Sequence, residues 1–192
     1  MSLAVIFFAA IVTNNIVLIY FLGICPFISV SKDMETALGM GIAVTSVMVA
    51  TVALNWPVNY FLLEPFSAQY LQYAVFIMII AVLVQIVEVV VDRYFPVLYA
   101  MVGVFLPLIT VNCSILGVIL FSMIRGYSYV QSLVFAGGCG IGWTLAILAM
   151  SAIRMKLRFS SVPLPLQGIG ITMIIAALMA MGFLGFSGWI SL

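Results

Sequence analysis

There is no histidine in this chain, and little charge: six Lys and Arg face five Asp and Glu in 192 residues. Without histidine there is no His-ligated haem, no His-based zinc site and no Ser-His-Asp catalysis. Without charge there is no soluble fold. A soluble domain carries about 25% charged residues. Here the share is 6%, against 67% hydrophobic residues. Such a chain cannot cover its surface with polar groups, so it reads as an integral membrane protein with lipid as its surroundings. A net charge of +1 excludes nucleic acid as a partner, because that requires a basic face. The N-terminus lacks a basic n-region and an A-x-A-like site. The first apolar run is therefore expected to stay as a span. The three cysteines, Cys25, Cys113 and Cys139, are a poor disulfide framework, being odd in number and without an extracellular domain.

What the chain does have is long apolar runs. A helical span needs about 20 mostly apolar residues. Six runs lie near 3–24, 36–56, 69–91, 97–123, 129–152 and 167–190. Their separators are Ser29 to Glu35, Trp56-Pro57 through Pro65, Asp92-Arg93 with Pro96, Arg125-Gly126, and Arg154 through Pro165. The expected fold is an all-α membrane protein: one domain over 1–192 with six transmembrane helices. Lys32, Arg93, Arg154, Lys156 and Arg158 follow the odd-numbered runs, while the other side holds only Arg125. The positive-inside rule then makes loops 1–2, 3–4 and 5–6 cytoplasmic and puts both termini outside.

The two halves resemble each other. "MIIAVLVQ" at 78–85 matches "MIIAALMA" at 173–180, and "ALGMG" at 37–41 pairs with "VFAGG" at 134–138. Cys25 in "FLGICPF" then falls beside Cys113 in "FLPLITVNCSILG". Repeat one covers about 1–95 and repeat two about 96–192. A repeated three-helix unit must be inverted in the membrane, and inverted repeats build sites from interrupted helices. Pro26 and Pro107 mark the first and fourth helices as the interrupted ones.

The chemistry rests on Cys25 and Cys113. Broken helices free amide groups that can face an anionic centre, such as a thiolate-held iron–sulfur cluster. Two readings stay open: small apolar packing residues, or half the ligand set of a [2Fe–2S] cluster, with the other half from a homologous chain. Cys139 in "GGCGIG", whose repeat mate is Ile42, reads as packing, and its glycines fit close helix approach. Asn14, Asn15 and Thr13 in the first run, and Asn112 and Thr110 beside Cys113, either bond between helices or shape a pocket or ion path. Gln85, Glu88 and Asp92 share a helix face. Glu88, the most interior carboxylate, is an ion-path candidate or a group reaching water or Arg93. No catalytic residue is expected.

"NNIVLIYFLGICPFISVSKDMETALGMGIAV", "LPLITVNCSILG" and the closing "GFLGFSG" resemble the membrane subunits of the Rnf complex, an ion-translocating ferredoxin:NAD+ oxidoreductase. "DRYFP", "LITVNC" and "GWTLAI" are similar also to the E-type sibling in the sodium-pumping NADH:quinone oxidoreductase. Asn14-Asn15 and "SKDMETALGMG" favour the Rnf A type. The resemblance implies six helices in inverted repeats and a prokaryotic inner-membrane location. It implies a homologous partner of opposite topology (Rnf E type, or the D type in the sibling complex). Each of the pair would give two cysteines, here Cys25 and Cys113, to one intramembrane [2Fe–2S] cluster. It further implies electron relay towards flavin-bearing subunits, coupled to outward Na+ or H+ movement. The rival from another class is a cluster-free secondary transporter, which also uses inverted repeats and broken helices.

Overall fold

The computed structural model describes residues 2–63, 69–94, 109–110, 112–157, 159, 163 and 167–185. Among these the regular elements are all helical. They are α1 (Leu3–Ile11), α2 (Ile24–Val30), α3 (Met34–Val58), α4 (Gln72–Tyr94), α5 (Cys113–Ile124), α6 (Tyr129–Leu157) and α7 (Ile169–Leu184). A π-helical turn, Asn59–Leu63, continues α3, and a 3-10 turn, Gln69–Leu71, opens α4.

The 25-residue α3 and the 29-residue α6 form the centre. At 1.5 Å per residue each is longer than the roughly 30 Å apolar thickness of a bilayer. Met34–Phe61, Gln72–Val90 and Tyr129–Leu157 are long and apolar enough to cross one. On α3 the buried positions Met40, Gly41, Val44, Val47, Met48, Thr51, Val52 and Asn55 follow helical spacing. They face Phe135, Cys139, Trp143, Ile147 and Met150 of the same core. By contrast, α4 turns Tyr73, Ile77, Met78, Val82, Ile86 and Val89 outward. Apolar residues outside a packed interface are what a lipid-facing helix carries.

The first run holds a break: α1 stops at Ile11 and α2 starts only at Ile24. Two run boundaries need correction. Trp56-Pro57 does not end the second run, since Pro57 sits inside α3. Trp56 Nε1 donates to the Tyr127 carbonyl at 3.1 Å, which ties this helix end to the α5–α6 turn. Arg154 and Lys156 lie in the last turn of α6 rather than in a loop, where cations suit the helix dipole. The fourth run yields a helix from Cys113 onward, capped by Asn112. Residues 97–108, with Pro107, lie outside the described residues, as do Pro65, Pro96, Arg158 and Pro165.

Arg125-Gly126 does form a sharp turn. Gly126 takes φ 63, its N–H meets Met123 O, and Tyr127 N–H meets Ser122 O. This is a Schellman ending, which needs a left-handed residue at that place.

Gly41 and Gly140 let α3 and α6 touch. A Cβ on Gly41 would run into the Thr144 side chain, and one on Gly140 into Thr45. The relation is reciprocal, Gly-x-x-x-Thr against Gly-x-x-x-Thr. Each glycine makes room for the threonine side chain of the other helix.

Candidate functional site

The break between α1 and α2 is buried, irregular backbone. Ile16, Val17 and Leu18 are 1–2% exposed. Irregular backbone at membrane depth survives only where protein or water covers it, and here Asn15 does much of the covering. Its Nδ2 donates to Gly142 O at 2.9 Å, on α6. Its Oδ1 accepts from Val17 N at 3.1 Å and Leu18 N at 3.4 Å. Thr13 Oγ1 donates to Ala9 O at 2.9 Å, closing the last turn of α1. Asn14 is half-buried and accepts from Tyr20 Oη at 3.4 Å. Of the three polar residues, Asn15 joins two elements, whereas Thr13 and Asn14 act locally.

α1 can come this close to α6 because of glycines. Gly138 lies under the Phe7 carbonyl and Ala10, and Gly142 under the Ile11 carbonyl. Gly137 has open space instead, so it does not share that role.

The chain re-enters helix through two left-handed residues, Phe21 (φ 55) and Gly23 (φ 79). A bulky residue at positive φ is uncommon and marks a turn held by its surroundings. Gly23 then caps α2, and Pro26 sits in the first turn. There a missing N–H removes no hydrogen bond, because the first four N–H groups of a helix have no partner within it. Pro26 therefore starts the half-helix. The break expected at Pro26 lies upstream, at 12–23.

The second half-helix, α5, begins at Cys113. Its N-cap Asn112 accepts from Ser114 N at 3.0 Å through Oδ1. Ser114 Oγ donates to Leu22 O at 2.7 Å, and Gly23 N–H donates to the Cys113 sulfur at 2.9 Å. A Cβ on Gly23 would collide with Ser114 Oγ. The first turns of α2 and α5 thus abut, with Cys25 and Cys113 both in these turns and both exposed. Cys139, by contrast, is buried within α6 at 1% exposure.

Glu88 lies half-buried on α4, and is not one of the residues gathered around Gly23. Among the described residues no three His, Cys, Asp or Glu side chains are grouped to hold a metal ion.

Sequence reasoning missed three members of this site. Gly23 and Ser114 lie inside the quoted segments "FLGICPF" and "FLPLITVNCSILG", and the string "GIC" at the start of α2 was the available signal. Arg154 read as a topology marker. In the structure its guanidinium donates to Ile28 O at 2.9 Å and to Ser31 Oγ at 2.7 Å. It therefore closes the C-terminal end of α2, the seven-residue helix that carries Cys25. A helix that short has no stability of its own, so this tie helps to hold the thiol in place.

The Rnf-Nqr family, described as "Rnf-Nqr subunit, membrane protein", matches residues 3–190. A relative from Syntrophotalea carbinolica, the A-type member of an "Ion-translocating oxidoreductase complex", is 48% identical over 187 residues, 97% of each chain. One from Acetobacterium woodii, the A-type member of a "Na(+)-translocating ferredoxin:NAD(+) oxidoreductase complex", is 48% identical over 188 residues, 98% of each. The chain is also similar to the E-type member of the "Na(+)-translocating NADH-quinone reductase" of Yersinia enterocolitica. That protein is 46% identical over 189 residues, covering 95% of this chain and 96% of the relative.

Proposed function

The chain belongs to the Rnf-Nqr family of membrane subunits, and we propose that it is the A-type component of an ion-translocating ferredoxin:NAD+ oxidoreductase. At the coarser level it is a membrane subunit of an ion-translocating oxidoreductase complex of the Rnf/Nqr type. In the proposed reading Cys25 and Cys113 hold half of a [2Fe–2S] cluster. A homologous membrane subunit of opposite topology provides the other half. Six spans in two inverted repeats carry the site, with both termini outside and the Lys32, Arg93 and Arg154 ends cytoplasmic.

One observation carries the reading: Gly23 N–H meets the Cys113 sulfur at 2.9 Å. It ties the turn that delivers Cys25 to the other thiol, although the two residues are far apart in sequence. The ligand chemistry fits. A [2Fe–2S] cluster takes four thiolates, and two exposed thiols on abutting helix starts leave room for two more from a second chain. A bound cluster supplies one-electron storage. The chain's own residues do the rest. The first-turn amides of α2 and α5 put positive dipole ends at the thiolates. The Gly23 amide stabilises sulfur charge directly. The packed core behind, with Trp143 and Ile115 fully buried, keeps water away from that side.

Electrons then pass from cytoplasmic carriers through this point towards flavin-bearing subunits, coupled to outward movement of Na+ or H+. The chain itself carries no catalytic residue. The reading is tested by purifying the intact complex. It should contain iron, a homologous partner and, once reduced by dithionite, the EPR signal of a [2Fe–2S] cluster. An iron-free complex without that signal would favour a cluster-free transporter instead. A second reading, the E-type component of a sodium-pumping quinone reductase, is favoured by the equally full-length match to the Yersinia protein. Assay of the complex with ferredoxin and NAD+, and separately with NADH and quinone, distinguishes the two.

A further inference from the structure

Behind the cysteine turns, two buried donors have no acceptor among the described residues: Nε1 of Trp143 and Nδ2 of Asn112. Trp143 is 0% exposed and Asn112 4%. The Asn112 amide cannot be flipped to relieve this, because its Oδ1 is needed by Ser114 N. Both side chains converge on one residue. Trp143 Nε1 lies 3.0 Å, and Asn112 Oδ1 2.9 Å, from the place a Cβ of Gly23 would take. Gly23 is the residue whose own N–H meets the Cys113 sulfur.

Buried donors are nearly always met, and each one left unmet costs roughly 1–3 kcal/mol. The neighbouring buried amide, Asn15, uses both its ends, so the region is not simply poorly satisfied. Two unmet donors, on side chains that both reach Gly23, point to negative charge that arrives with something bound. Hydrogen bonds and dipoles near the sulfurs set the potential of an iron–sulfur group, and their effect is large where the local dielectric is low.

Resting on the cluster reading above, we propose that Trp143 and Asn112 are inner tuning residues of the Cys25–Cys113 site. Their N–H groups favour the additional negative charge of the reduced state. The step itself adds one electron, from dithionite in the test below, and makes or breaks no bond. Neither residue is a ligand.

The test uses the purified whole complex. The unsubstituted complex is first assayed for iron and, after dithionite reduction, for the EPR signal of a [2Fe–2S] cluster; if both are absent, the cluster reading and this inference fail together. Trp143→Phe and Asn112→Ser are then titrated. Serine keeps a helix-capping oxygen for Ser114 N, so the half-helix start is preserved. Each variant should keep its iron and titrate at lower potential. Losing one hydrogen bond to a charged group corresponds to a reduced-to-oxidised ratio smaller on the order of tenfold, or about 59 mV for one electron. Full iron content with an unmoved midpoint in both variants would overturn the tuning role and leave the cluster reading intact.

Discussion

The hydroxyls of Thr45 and Thr144 stand 3.3 Å apart across the α3–α6 interface. Each also lies within reach of a glycine carbonyl four residues back in its own helix, Thr45 Oγ1 at 2.7 Å from Gly41 O and Thr144 Oγ1 at 2.8 Å from Gly140 O, so two hydroxyl protons are shared among three contacts. The two helices thus present the same four-residue device to each other. It fixes the height at which α3 and α6 cross.

The threonine pair should behave as a coupled unit. Thr45→Val and Thr144→Val, singly and together, are expected to show a coupling of about 0.6 kcal/mol, the usual size of an interhelical polar contact in a membrane protein. Unfolding in mixed detergent measures it, and strictly additive effects would mean that the hydroxyls do not share a bond. Gly140→Leu should cost more, about 1–3 kcal/mol, because it forces the helices apart.

Cys25→Ser and Cys113→Ser should each remove the iron of this site and its reduced-state EPR signal while the flavin of the complex still bleaches, and Cys139→Ala should leave both iron and signal in place. The distinction follows from position. The first two thiols are exposed in helix first turns, and the third is packed in α6. Electron and ion transfer at normal rate in either cluster-free variant would rule out the relay.

Gly23→Ala is expected to be severe for so small a change. The left-handed backbone costs a non-glycine residue roughly 1–2 kcal/mol. The new methyl would also displace Ser114 Oγ from its bond to Leu22 O. Adding Ser114→Ala should relieve the closest collision but neither the backbone cost nor the crowding by Asn112 and Trp143, so the double variant should recover part of the lost thermal stability. No recovery would place the cost in the backbone and in those two neighbours.

Arg154→Gln should loosen α2, since the guanidinium links Ile28 O and Ser31 Oγ. In membranes holding the chain alone, maleimide labelling of Cys25 should change while that of Cys113 stays the same. Arg154→Lys keeps the charge but not the planar fork, and should fall between. Equal change at both thiols would show that Arg154 acts on the bundle as a whole.

Asn15→Leu should destabilise by about 1–3 kcal/mol, because Gly142 O, Val17 N and Leu18 N lose a partner in a buried site. Thermal unfolding in detergent checks it, with Asn14→Leu as a milder comparison, since Asn14 makes one long bond to an exposed tyrosine.

Much of the site was legible because breaks in an apolar run are visible one residue at a time. "FLGICPF" and "VNCSILG" announce interrupted helices, and Asn15 and Asn112 stand out as polar residues inside apolar sequence. Pro26 was legible as a marker but misleading as a cause. Proline signals both the end and the beginning of a helix, and only the backbone showed which.

Composition and local pattern, then, settled the class of molecule, its helical make-up and which two thiols to watch, since hydropathy and helix breaking are properties of neighbouring residues. Only the tertiary structure decided that Gly23 meets Cys113, that Asn15 reaches Gly142 and that Gly41 faces Thr144. Those contacts join residues about a hundred positions apart. They depend on where a missing side chain lets two backbones approach, which no stretch of sequence records by itself.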